Sequence, residues 1–217
     1  MRVAVWLVSL GLIATNAEVI TFDSGPLGKV PPGWIVTMTH TGGVPRWEIR
    51  RDPTARTQPY VFAQVSSDPT DDRFPLAILD HSAMRDGDVS VRLKPVAGRE
   101  DQAGGLVWRY RDPNNYYLVR ANALEKNIVV YKVVNGQRIP LNPNGLPSHS
   151  SAVPHNVASN AWLILKVSAR GSHFAVFVNH RRILQVDDDT FTHPGKVGLW
   201  TKADSVTYFD DFRVYPR

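Results

Sequence analysis

The stretch Gly104–Val134, GGLVWRYRDPNNYYLVRANALEKNIVVYKVV, constrains this chain more than any other. It reads as three consecutive strands, Gly105–Tyr110, Tyr116–Ala123 and Asn127–Val134. Asp112-Pro113-Asn114-Asn115 makes the first turn, where proline presets φ and asparagine tolerates left-handed geometry, and Glu125-Lys126-Asn127 lies at the second. Alternation places Leu106, Trp108 and Tyr110 on one face and Val107, Arg109 and Arg111 on the other. It continues with Tyr117, Val119 and Ala121 opposite Tyr116, Leu118, Arg120 and Asn122. A face carrying Arg, Tyr and Asn behind an aliphatic face predicts a sandwich whose outer sheet surface meets a polar ligand.

The rest of the chain repeats the pattern. Glu18–Asp23 reads as a first, edge-like strand, and Ser24–Trp34 as a Pro/Gly-rich crossing loop ending on an aromatic anchor. Trp47–Arg51, Tyr60–Ser66 and Phe74–Leu79 follow, the last confined by Pro75 to a strand start or an edge. Asp86-Gly87-Asp88 reads as a hairpin turn into Val89–Val96. Asn135-Gly136 is a strong hairpin signal. Ile139–Asn160 has no periodic pattern, and a connection of that length is functional or mobile. Ala161–Ala169 and Phe174–Val178 form a hairpin around Arg170-Gly171-Ser172, then come Ile183–Val186, Lys196–Thr201 and Val206–Tyr215. No stretch sustains a 3.6-residue apolar period, and about a dozen short strands predict an all-β, two-sheet antiparallel sandwich or jelly roll.

Met1-Arg2, the apolar run Val3–Ala14 and the small-residue site Thr15-Asn16-Ala17 predict a signal peptide over residues 1–17. The run is too short to span a bilayer, so the expected mature chain is one domain, Glu18–Arg217, secreted or periplasmic and without a membrane span. An exported chain with no cysteine has no disulfide staple, no thiol catalysis and no thiolate metal site. The 25 Lys and Arg against 20 Asp and Glu are scattered singly, which argues against nucleic acid and for attraction to anionic surfaces or acidic glycans.

Three segments, GGLVWRYRDPNNYYLVRAN, AWLILKVSARGSHFAVFVNHRRI and GKVGLWTKADSVTYFDDFRVY, resemble the concanavalin A-like lectin/glucanase superfamily. They are most similar to bacterial exported domains grouped as 3-keto-disaccharide hydrolase or laminin G-like domains of unknown function. The resemblance runs from about Val19 to Pro216. It implies a jelly roll of one convex and one concave antiparallel sheet, with sugar on the concave side. It also implies Ca²⁺ between the first and last strands, with Asp210 of the closing DDFRVY as a ligand and Asp23 as its partner.

Catalysis is less well supported. Glycoside hydrolysis needs two carboxyls flanking the bond, roughly 5–5.5 Å apart for retention and roughly 6.5–9.5 Å for inversion. The glucanase branch sets them on one strand as Glu-x-Asp-x-x-Glu, and none of Glu18, Glu48, Glu100 or Glu125 begins that pattern. A Gly-x-Ser-x-Gly elbow and a His-Glu-x-x-His helix are also missing, and the seven histidines are dispersed. Sugars want flat aromatic faces and planar donors, and Arg109, Tyr117, Arg120, Asn122, Trp200 and Lys202 supply those types. The expectation is a noncatalytic glycan-binding domain. A hydrolase or lyase acting on a modified disaccharide or polysaccharide is the first alternative, and an envelope adhesion protein is the second.

Overall fold

The structure is a computed structural model describing residues 17–217, so all but the last residue of the expected signal peptide lies outside the described residues. In chain order the strands are β1 (Glu18–Ile20), β2 (Trp34–Thr39), β3 (Trp47–Arg51), β4 (Tyr60–Gln64), β5 (Phe74–Met84), β6 (Gly87–Ala97), β7 (Ala103–Asp112) and β8 (Asn115–Asn122). Then come β9 (Asn127–Val134), β10 (Gln137–Pro140), β11 (Ala152–Pro154), β12 (Leu163–Arg170), β13 (His173–Val178), β14 (Arg181–Asp187), β15 (Gly195–Thr201) and β16 (Val206–Pro216). The first sheet runs β14-β13-β12-β6-β16-β4-β3, with β1 on β16, and the second runs β10-β9-β8-β7-β15-β5-β2, with β11 on β9. All the strand pairings are antiparallel.

The expected sandwich is present, and alternation explains it. Val89, Val91 and Leu93 of β6 and Leu163, Leu165 and Val167 of β12 point inward, against Leu106, Trp108, Tyr117, Val119 and Leu199 of the second sheet. Some local expectations change. Asp86-Gly87-Asp88 is not a hairpin: β5 and β6 lie in different sheets, so this turn crosses the sandwich. The supposed crossing loop ends where a further strand, β2, begins, and Ile139–Asn160 contains β11 paired to β9. That loop inserts Leu141 and Val157 into the main core at the sheet edge.

The second sheet has two buried faces. Leu76, Ile78, Val107, Tyr116, Leu118, Val129, Val133 and Trp200, on the side away from the first sheet, form a separate buried cluster. A curl of the sheet makes this possible. Tyr116 on β8 and Thr39 on β2 are four places apart in the strand order, about 19 Å in a flat sheet at the usual spacing of about 4.8 Å. Their hydroxyls are 2.8 Å apart, and Thr39 Oγ1 also donates to the Pro113 carbonyl of the β7–β8 turn at 2.5 Å. The Arg138 guanidinium, on edge strand β10, lies over Phe74 and Tyr131 at 4.7 and 4.8 Å. Opposite corners of the sheet therefore meet, and the concave face becomes a second core rather than an open trough.

The Tyr116–Thr39 contact gives a graded prediction for urea unfolding. Tyr116→Phe removes one buried hydroxyl and costs about 1 kcal/mol, whereas Thr39→Val leaves both the Tyr116 hydroxyl and the Pro113 carbonyl unpaired and costs roughly 2–3 kcal/mol. Equal midpoints for the two variants would contradict the closure.

Candidate functional site

Polar groups gather where this curled face opens, at the end of β7, β8 and β9. Across the strands Trp200, Gly105, Arg120 and Val129 lie in one row, and Ala103, Asn122 and Asn127 in the next. Asn122 caps the β8–β9 turn, its Oδ1 accepting the Leu124 and Glu125 amides at 2.9 and 3.1 Å. The turn thereby folds Glu125 back onto Arg120, which donates to Oε1 and Oε2 at 2.8 and 2.5 Å and to Asn127 Oδ1 at 2.8 Å. Asn122 Nδ2 bridges Glu125 to Asp101. Lys202 pairs with Asp101 at 3.0 Å and with Asp71 at the rim.

The supporting loops are held by buried groups. Asp204 accepts the amides of Arg99, Glu100 and Asp101, and only glycine fits at Gly98, where φ is +143° and a Cβ would sit 1.8 Å from the Asp101 carbonyl oxygen. Fully buried Arg73 donates to the Gly43 and Ala203 carbonyls and to Ser66 Oγ.

Burial splits the two carboxyls bridged by Asn122. It pushes Asp101 above the usual carboxylate range despite the Lys202 pairing. On Glu125 burial acts in the same direction, but the Arg120 and Asn127 bonds outweigh it and hold the carboxyl low. The Glu125 side chain is 45% exposed, while Arg120 beneath it is buried. Two buried donors nearby, Arg120 Nε and Arg138 Nη1, have no hydrogen-bond partner among the described residues. The mouth thus presents one reachable carboxylate, planar amides and a buried guanidinium in a single hydrogen-bonded network.

Of the residues expected from the sequence, Arg120, Asn122 and Lys202 converge here, and Trp200 lies beside them, fully buried in the second core. Arg109 and Tyr117 do not join them. A β-bulge between Trp108 and Asp112, with Arg109 at φ +49°, breaks the alternation. Arg109 turns to the same side as Trp108, over Phe174 at 5.1 Å, and donates to the Phe191 and Gly171 carbonyls at 2.6 and 2.5 Å. Tyr117 stacks on Trp108 in the main core and donates to Asp188 at 2.6 Å. Sequence reasoning passed over Asp101, Glu125 and Asn127. The signal for Glu125 was present in the turn it shares with Asn127, five residues from a central-strand arginine that needs a partner.

The residues expected to hold calcium do not fit a hard cation. Asp210 is fully buried and accepts the Thr57 amide and hydroxyl at 2.9 and 2.6 Å and the Asp211 amide at 2.7 Å. Asp23 accepts the Tyr60 amide at 3.2 Å. Among the described residues no three His, Asp or Glu side chains cluster as metal ligands.

No family model matches the chain, and no curated protein is similar to it in sequence. Solved structures do match it. The fold is similar to the carbohydrate-binding module CBM66 from Bacillus subtilis, at 20% identity and TM-score 0.60, covering 83% of this chain and 93% of that one. It is similar to the β-glucanase of Bacillus licheniformis, at 11% identity and TM-score 0.58, covering 94% and 99%. A third similar structure is domain 4 of AbnA, an extracellular arabinanase from Geobacillus stearothermophilus in complex with arabinotriose, at 13% identity and TM-score 0.54, covering 91% and 90%. The fold is a concanavalin A-like jelly roll.

Two measurements follow. EDTA leaves the melting temperature unmoved, and a fall on chelation would restore a cation site. Glu125 is held below its ordinary value of 4.5, so the folded state binds fewer protons than the unfolded chain. Its contribution is complete above about pH 4.5 and disappears as pH falls through the folded value. Asp101, raised, works in the opposite sense. Glu125→Gln flattens the acid limb of a stability–pH curve, and an unchanged limb would contradict the Arg120 pairing.

Proposed function

We propose that the chain is an exported carbohydrate-binding domain and that its sugar site is the polar mouth of the second sheet. The observation that carries this is the Arg120–Glu125–Asn127–Asn122 network, which presents a half-exposed carboxylate and paired planar amides side by side. Such a lattice can exchange hydrogen bonds with vicinal hydroxyls without reorganising, because Arg120 and Asn122 are locked from below. The fold-level likeness to a carbohydrate-binding module and to an arabinotriose-bound domain supports the class of ligand. The ligand meets the rim and not the inner concave face, which is packed with Leu76, Val107, Leu118 and Trp200.

A second reading, hydrolysis or elimination at the same place, is favoured by one feature. Asp101 and Glu125 are carboxyls with opposed shifts joined through one asparagine, the pattern that separates an acid from a base. Product analysis on a bound glycan tests it: release of shorter or unsaturated sugars, lost in Asp101→Asn, would favour catalysis over binding.

The binding reading is tested on a glycan array with Glu18–Arg217. A hit weakened at least tenfold by Glu125→Ala, with a melting temperature lowered by the loss of the Arg120 partner but a circular dichroism spectrum like the parent's at the assay temperature, is the expected result. A blank across neutral and acidic glycans, or full binding by Glu125→Ala, would overturn it.

A further inference from the structure

A polar opening outside the mouth lies on the other sheet. On the outer face of β6, β12, β13 and β16 there is a cleft of about 290 Å³, close to the lower limit of small-ligand pockets, roughly 300–1,000 Å³. Alternation from the core residues Val91 and Leu165 turns Arg92 and Lys166 outward into it. Phe177 and Tyr215 provide apolar walls.

A backbone irregularity completes it. Asp210 pairs with Arg92 and Arg213 with Ser90, so β16 carries an extra residue at this point. Asp211 sits in that bulge at φ +53°, a conformation a non-glycine residue rarely adopts. Bulges of this kind re-aim side chains beside functional sites. Here Asp211 is brought to the cleft, where Arg213 grips it at 2.8 and 3.0 Å and Arg92 Nε lies 3.4 Å away.

The charges do not balance. Asp211 serves both Arg92 and Arg213, and Asp88 serves both Arg170 at 2.9 Å and Lys166 at 3.5 Å. Two carboxylates facing four cations leave a local surplus of two positive charges. Moreover, Arg92 Nε is buried without a hydrogen-bond partner among the described residues, and Lys166 Nζ rests over the Phe177 ring at 4.4 Å. A surplus of cations beside apolar walls calls for a planar anion, which arginine binds better than lysine alone.

We propose that this cleft is a second ligand site that takes an acidic saccharide, its carboxylate held between Arg92 and Lys166 and its ring against Phe177 and Tyr215. The saccharide class rests on the carbohydrate reading above, whereas the anionic selectivity rests on the cleft alone. The site lies on the sheet opposite the mouth, so a polysaccharide with uronate residues has two places to engage, and the avidity that follows depends on chain length.

Calorimetric titration with a galacturonate trisaccharide and the matching neutral galactose trisaccharide tests this. Binding of the galacturonate form alone to this cleft, weakened at least fivefold between 50 and 300 mM salt, is expected on order-of-magnitude grounds. Arg92→Gln and Lys166→Gln each weaken it by about tenfold, while Glu125→Ala in the mouth leaves it unchanged. Lys166→Gln does not touch Asp211, so it separates loss of the ligand from loss of the bulge. No binding, equal binding of the neutral sugar, or binding insensitive to both cleft substitutions would overturn the proposal. Loss confined to Glu125→Ala would place the acidic sugar at the mouth and overturn the cleft while sparing the mouth reading.

Discussion

A sheet that is apolar on both faces has two surfaces to bury and only one partner sheet. That constraint shapes the molecule. The inner face of the second sheet meets the first sheet in the main core, and the outer face, with Ile78, Val107, Leu118 and Trp200, has no second layer to meet. The sheet resolves this by curling until its corners touch. Burying this much apolar surface is worth far more than the strain of extra twist, since a single leucine or valine contributes about 1.5–3 kcal/mol when fully removed from water. Tyr116, Thr39 and Arg138 pin the curl.

Curling pushes polar chemistry to the periphery. Arg120 and Asn122 share a face with Leu118 but lie at the open end of β8, where they find Glu125, Asn127 and Asp101 instead of hydrocarbon. The first sheet solves its surface differently. Its outer face stays exposed and charged, with Lys166, Arg92 and Arg213 distributed over neighbouring strands. The two sheets therefore offer two distinct polar environments, one a compact hydrogen-bonded rim and the other an open cleft with excess positive charge.

Several of the basic residues are structural. Arg73 and Arg109 are almost completely buried and spend their donors on backbone carbonyls, tying loops to strand ends. Lys94 is buried against Asp52, and Lys132 is paired with Asp188 at 2.7 Å. Such cations add to the formal charge of +5 without forming a surface field.

Strand identity was legible in the sequence because it is local. Period-2 alternation in Val89–Val96, Ala161–Ala169 and the central block is set by each segment's own residues, and from it the all-β sandwich follows. Two-sided burial was not read from the sequence: Val107, Leu118, Val129 and Val133 on that face are apolar, but the arginine and asparagine beside them suggested an open polar surface. Half of the mouth, Arg120, Asn122 and Lys202, came from residue type and position; Glu125 and Asp101 entered only when turns brought them back across the strand ends. The bulge at Arg109, the bulge at Asp211 and the curl that closes the concave face belong to the tertiary structure alone. Each depends on how a strand pairs with partners distant in the chain, and a one-residue shift in that pairing moves a side chain from one face to the other.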